Sequence, residues 1–111
     1  MKAQAGIDDR LLDDLVGRIV AAVHPTRIVL FGSAARGEMG VDSDLDLLVV
    51  MPDGVHRRQT AQEIHRRSAN LGVAIDVVVV TESDVRQYGN NPSLVLFPAL
   101  RDGKDLYRAA G

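Results

Sequence analysis

Three aspartates and one small-residue turn are the groups in this sequence whose spacing supports chemistry. Gly32-Ser33 follows Leu30-Phe31, and after ten intervening residues Asp44-Leu45-Asp46 opens the apolar stretch Leu47-Leu48-Val49-Val50. Side chains alternate along a strand, so Asp44 and Asp46 point to one face while Leu45 and Leu47 point to the other. Two carboxylates side by side repel one another unless a cation sits between them. Hard oxygen ligands beside a phosphate suit magnesium, which takes carboxylates, waters and substrate oxygens rather than a closed protein cage. Asp76 lies inside a second apolar run over residues 73–80, where burying an unpaired carboxylate is expensive. It completes the set if the strands bearing Asp46 and Asp76 are neighbours.

The turn supplies the other half. Glycine lets the backbone approach a triphosphate, and the N–H groups after it open a short helix, a ready anion site. The Ser33 hydroxyl can donate to a phosphate oxygen, Arg36 can reach a phosphate or hold a carboxylate, and Ser43 can orient Asp44. These groups can hold a nucleoside triphosphate and two magnesium ions. Two metals bridged by carboxylates activate an attacking hydroxyl and neutralise charge on departing pyrophosphate. The residues therefore point to nucleotidyl transfer.

Several elements must position these groups. Ile7, Leu11, Leu15, Ile19 and Val23, widened by Leu12, Val16 and Val20, form the apolar stripe of a first helix ended by His24-Pro25. Gly17 inside that helix costs about 1 kcal/mol relative to alanine, so the sequence predicts that tertiary packing holds it. Residues 27–31 read as strand one. Residues 44–51 read as strand two, apolar on both faces after its opening aspartates and hence central in a sheet. Residues 55–71 read as a helix rich in arginine on its outer side, with Gly72 at its C-terminal end. Residues 73–80 read as strand three. Thr81 with Asp84 caps a short helix reaching about Tyr88. A last helix starts at Asn90-Asn91-Pro92 and closes at Gly103, and residues 104–107 form an edge strand. The link between strands one and two is too short for a helical crossover. The fold class is thus α/β (α+β), a small mixed sheet flanked by helices, with residues 1–111 forming one domain.

Composition narrows the partners. With 13 Lys and Arg against 15 Asp and Glu, the net charge is −2 and no general polyanion-binding surface is expected. Cysteine is absent, which excludes disulfides and thiolate chemistry. The first residues contain no apolar signal segment, and no run approaches a membrane span, so a soluble cytoplasmic protein is expected. His24, His56 and His65 lack metal-ligand spacing and read as structural or surface groups, and Tyr107 and Phe97-Pro98 read as packing.

Gly32-Ser33, the spacing to Asp44-x-Asp46, Ala35-Arg36-Gly37, Ser43 and Asp76 together resemble the minimal nucleotidyltransferase (MNT) domains of the DNA polymerase beta-like superfamily. The resemblance runs over almost the whole chain, to Leu106-Tyr107. It implies Asp44 and Asp46 as metal ligands, Asp76 as a third catalytic carboxylate acting as ligand or base, and Gly32 and Ser33 on the β- and γ-phosphates. It further implies ATP as donor and an antitoxin role. In such pairs AMP passes to a tyrosine of a HEPN-domain toxin. At this size the acceptor must be held largely by another chain, a partner or a second copy; the arginine-bearing helix and residues 94–97 are candidate contacts. Two alternatives stand beside this reading: a binding-only antitoxin without catalysis, and transfer to a small hydroxylated molecule such as an aminoglycoside.

Overall fold

The computed structural model describes residues 9–32, 45–88 and 96–109. In chain order these form α1 (Asp9–Val23), β1 (Arg27–Phe31), β2 (Leu45–Met51), α2 (Arg57–Ser68), a 3-10 turn (Ala69–Leu71), β3 (Ile75–Thr81), α3 (Glu82–Tyr88), α4 (Leu96–Asp102) and β4 (Lys104–Arg108). The strands make one sheet in the order β3-β2-β1-β4. β1 runs antiparallel to both β2 and β4, whereas β2 and β3 are parallel, joined through α2. The sheet is mixed, as expected, with β2 inside it.

Alternation along β2 builds two cores at once. Leu45, Leu47, Val49 and Met51 face α1 and α2, meeting Leu12, Leu15, Ile19 and Ile64. Leu48 and Val50 face the other way, with Val29, Val80 and Ala99. Burying each such side chain fully contributes about 1.5–3 kcal/mol, so a strand used on both faces anchors the fold. In α1 the buried line is Leu12, Leu15 and Ile19, the 3-4 spacing of a helical face.

Local chemistry sets the element ends. His24 adopts φ +53° after α1, its N–H donating to the Val20 carbonyl at 3.1 Å. Gly72, at φ +78°, closes the turn after α2. The Thr81 N–H donates to Asp84 Oδ2 at 3.0 Å and the Asp84 N–H to Thr81 Oγ1 at 3.2 Å, the reciprocal cap read from the sequence. α2 begins at Arg57 rather than at Val55, because His56 is its cap: Nδ1 accepts from the Gln59 N–H at 3.2 Å. The expected start of the last helix at residues 90–92 lies outside the described residues. At the β4 edge, Asp105 accepts from Arg27 and Arg108, each at 2.9 Å. Partial burial works against the Asp105 charge, but the hydrogen bonds from Arg108 and Arg27 outweigh it and hold the carboxyl below its ordinary range.

Gly17 departs from expectation. It is exposed, and a Cβ built there meets nothing within 4 Å, so no packing requirement selects glycine. We expect Gly17→Ala to stabilise the protein by about 0.5–1 kcal/mol. A thermal unfolding midpoint that is unchanged or lower would show that position 17 is constrained in a way the open space does not indicate.

Candidate active site

Asp46 is the second residue of β2 and sits between two neighbours. It pairs with Phe31 across the antiparallel β1–β2 ladder and with Asp76 across the parallel β2–β3 ladder. Residues in register on adjacent strands share a face about 4.8 Å apart. Leu45 and Leu47, on either side of Asp46, are wholly buried against the opposite face. The two carboxylates therefore lie together on the α3–α4 side of the sheet, at the end where β2 and β3 begin.

Their surroundings differ from the expectation for Asp76. An aspartate within a valine run predicts burial, but Asp76 is exposed. The strand starts at Ile75 rather than at residue 73, so its second residue lies at the sheet's rim, where water reaches the carboxylate. Asp46 is half-buried. The pair thus combines concentrated negative charge with access for ligands.

Gly32 closes this corner. It has φ +75°, and a Cβ on it would run into Asp46 Oδ2, with the carboxyl carbon at 3.2 Å and the Asp46 Cβ at 3.4 Å. The turn after β1 thus lies directly against the Asp46 carboxylate, and only glycine combines that backbone with that approach. Ser33, Arg36, Ser43 and Asp44 lie outside the described residues. Among the described residues no group of three His, Cys, Asp or Glu side chains is gathered as a metal site; Asp46 and Asp76 are two of the three carboxylates the sequence singled out. Two adjacent hard oxygen donors, one open to water, match the ligand chemistry of magnesium.

Phe31 is a site neighbour that the sequence reading placed only in a strand. It is half-buried on the Asp46 face and packs against the cluster of Val29, Leu48, Val50, Val80 and Ala99, which extends apolar surface up to the carboxylate. Its position just before the glycine was the available signal. At the opposite end of β2, roughly 17 Å along the strand, a cavity of about 550 Å³ lies among Asp53, His56, Arg57, Thr81, Ser83 and Asp84. Its polar groups serve one another: Asp53 accepts from the Ser83 N–H at 2.9 Å and from the Ser83 hydroxyl at 2.6 Å. Those hydrogen bonds, with a smaller contribution from Arg86, lower the Asp53 pKa. Arg57 pairs with Asp84 at 2.7 Å. This end is a hydrogen-bonded closure of the sheet.

The nucleotidyltransferase-domain family profile matches residues 12–102, which spans every strand but the last and includes Gly32, Asp46 and Asp76. The chain belongs to the nucleotidyltransferase domain family. Members of this family generally use a nucleoside triphosphate and a divalent metal. Two solved structures share the fold. One, from Sulfolobus solfataricus and assigned as a nucleotidyltransferase, is 18% identical with a TM-score of 0.60, over 89% of this chain and 78% of that one. The other, a toxin–antitoxin structure with AMP-PNP, is 22% identical with a TM-score of 0.61, over 87% and 73%. No curated protein sequence matches this chain. The mixed sheet and its helices agree with the polymerase beta-like nucleotidyltransferase fold. Among the described residues no helix is long and apolar enough to cross a membrane.

Gly32→Ala tests the corner. We expect about 1–3 kcal/mol of destabilisation from the left-handed backbone and a loss of nucleotidyl transfer that persists where the variant remains folded. Full transfer by the folded variant would show that the close approach of Gly32 to Asp46 is dispensable.

Proposed function

We propose that this chain is a magnesium-dependent nucleotidyltransferase of the MNT type. In this reading it acts as a single domain in the cytoplasm, transfers AMP from ATP to a tyrosine hydroxyl of a partner HEPN-domain toxin, and so serves as the antitoxin. The observation that carries the reading is the in-register pairing of Asp46 with Asp76, with Gly32 turned against Asp46. The likeness to a toxin–antitoxin structure holding AMP-PNP supports the choice of partner and donor.

Asp44, Asp46 and Asp76 would hold the metal, with Asp76 serving as ligand or as base for the acceptor hydroxyl. The bound cation would neutralise charge on the triphosphate and lower the cost of forming the attacking oxygen. Gly32 and Ser33 would cradle the β- and γ-phosphates, with Arg36 and Ser43 steadying the phosphates and Asp44. The tyrosine oxygen attacks the α-phosphorus, a new O–P bond forms, and the bond to the β-phosphate oxygen breaks. Pyrophosphate leaves, and the phenolic proton passes to the base.

The test is the intact mass of the co-encoded neighbouring protein after incubation with this chain, ATP and magnesium. We expect one or more AMP units to be gained, and none with Asp44→Ala or Asp46→Ala. A stable complex with no mass gain from the unmodified chain would mean inhibition by binding alone. Labelling of an aminoglycoside but not of the protein would redirect the activity to small acceptors.

A further inference from the structure

The sheet has two edges, and they are treated differently. β4 carries Lys104, Asp105 and Arg108 and pairs with β1 through a register shift between Ile28 and Val29. Charged residues and irregular pairing are the usual guards against adding another strand. β3 has neither. Its pairing with β2 is unbroken from Leu45↔Ile75 to Met51↔Thr81, and Val77, Val78 and Val79 are half-buried. Among the described residues, β3 has no strand on its outer side.

Hydrogen-bond parity identifies the available groups. The Leu45 N–H donates to the Ala74 carbonyl at 2.9 Å. In a parallel ladder alternate residues turn both backbone groups to the same neighbour. Asp76, Val78 and Val80 therefore face β2, while Ile75, Val77, Val79 and Thr81 turn outward. The outward Thr81 N–H is already taken by Asp84. Among the described residues, nothing takes the outward groups of Val77 and Val79, two donors and two acceptors in mid-strand.

The flank of α2 selects the occupant by charge. The Arg67 carbonyl accepts from Arg18 of α1 at 3.1 Å, which places the Glu63–Arg67 side of α2 toward α1. On the helical wheel Arg58, Ala61 and His65 fall on the other side, over β3. Arg58 and His65 are exposed, and Arg57 closes the C-terminal end of the strand by pairing with Asp84. No acidic side chain of α2 lies on that flank. We propose that the outer edge of β3 receives an extended, acid-bearing segment of the protein acceptor as an added strand. Its acidic side chains would meet α2, and its apolar side chains would cover Val78 on the face that carries Asp76. Strand addition delivers affinity through the backbone and specificity through alternate side chains. It would also seat the acceptor beside the strand that bears the third carboxylate. The inference rests on the reading of a protein acceptor given above.

Amide hydrogen exchange on the full chain tests it without nucleotide or transfer. In the dilute free protein the Asp76, Val78 and Val80 amides exchange slowly and those of Val77 and Val79 rapidly. An acetylated, amidated octapeptide of alternating Val and Glu slows Val77 and Val79 about tenfold at about ten times its dissociation constant. The Val-Lys counterpart has a smaller effect. Val77→Pro removes an outward N–H, which an edge strand tolerates, and abolishes the peptide's effect on Val79. The proposal is overturned if neither peptide protects these amides or if both do so equally. It is also overturned if the amides are already slow in the free chain, or slow with rising protein concentration alone, which would assign the edge to a second copy. Loss of AMP transfer with intact peptide protection would instead count against the proposed reaction alone.

Discussion

Parallel pairing of β2 with β3 is the constraint from which the rest of the structure follows. Seven residues pair without a shift, so the second residue of each strand is brought to the same rim of the sheet and the same face. Both of those residues are aspartates. A slip of one residue would turn the whole β3 pattern over, burying Asp76 and expelling Val77 and Val79 from the α1–α2 core. The apolar alternation that makes the fold stable therefore also fixes the proposed carboxylate site, and neither can change alone.

The antiparallel ladder with β1 adds the second component. It ends at the Phe31–Asp46 pair, so the chain must leave the sheet immediately beside the carboxylate. Gly32 makes that exit through a left-handed turn in which a Cβ would displace the Asp46 carboxylate. A site assembled in this way has an apolar floor, a backbone wall and an open side. Such an arrangement concentrates negative charge where a cation and a polyphosphate can reach it, while the hydrogen-bonded network at the other end of β2 closes the sheet.

Much of this was legible in the sequence because the signals were short-range. The Thr81–Asp84 cap, the left-handed Gly72 and the edge strand after Gly103 depend on a few neighbouring residues, and each forms where the pattern places it. The carboxylate set requires β2 and β3 to be neighbours, and they are. What composition misjudged was depth. The valine run predicted a buried Asp76, but burial depends on where along the sheet a residue falls, and Asp76 falls at the rim. His56 reads as a structural or surface group, and it is exposed and caps α2; histidine is not a common cap, so propensity does not give the cap itself. Gly17 is the other departure: it falls opposite the apolar stripe of α1, so the periodicity itself places it outside the packed face, where the structure has it.

The central claim is that the Asp46–Asp76 rim is where a divalent cation binds. The most direct measurement is paramagnetic line broadening in the full chain as Mn²⁺, standing in for Mg²⁺, is added at low ratio. The account predicts that the amides of Gly32, Asp46 and Asp76 broaden first, and that Asp46→Asn removes the effect. Broadening centred on Asp13 and Asp14, or on the Asp53–Asp84 end, with those three amides sharp, would contradict it.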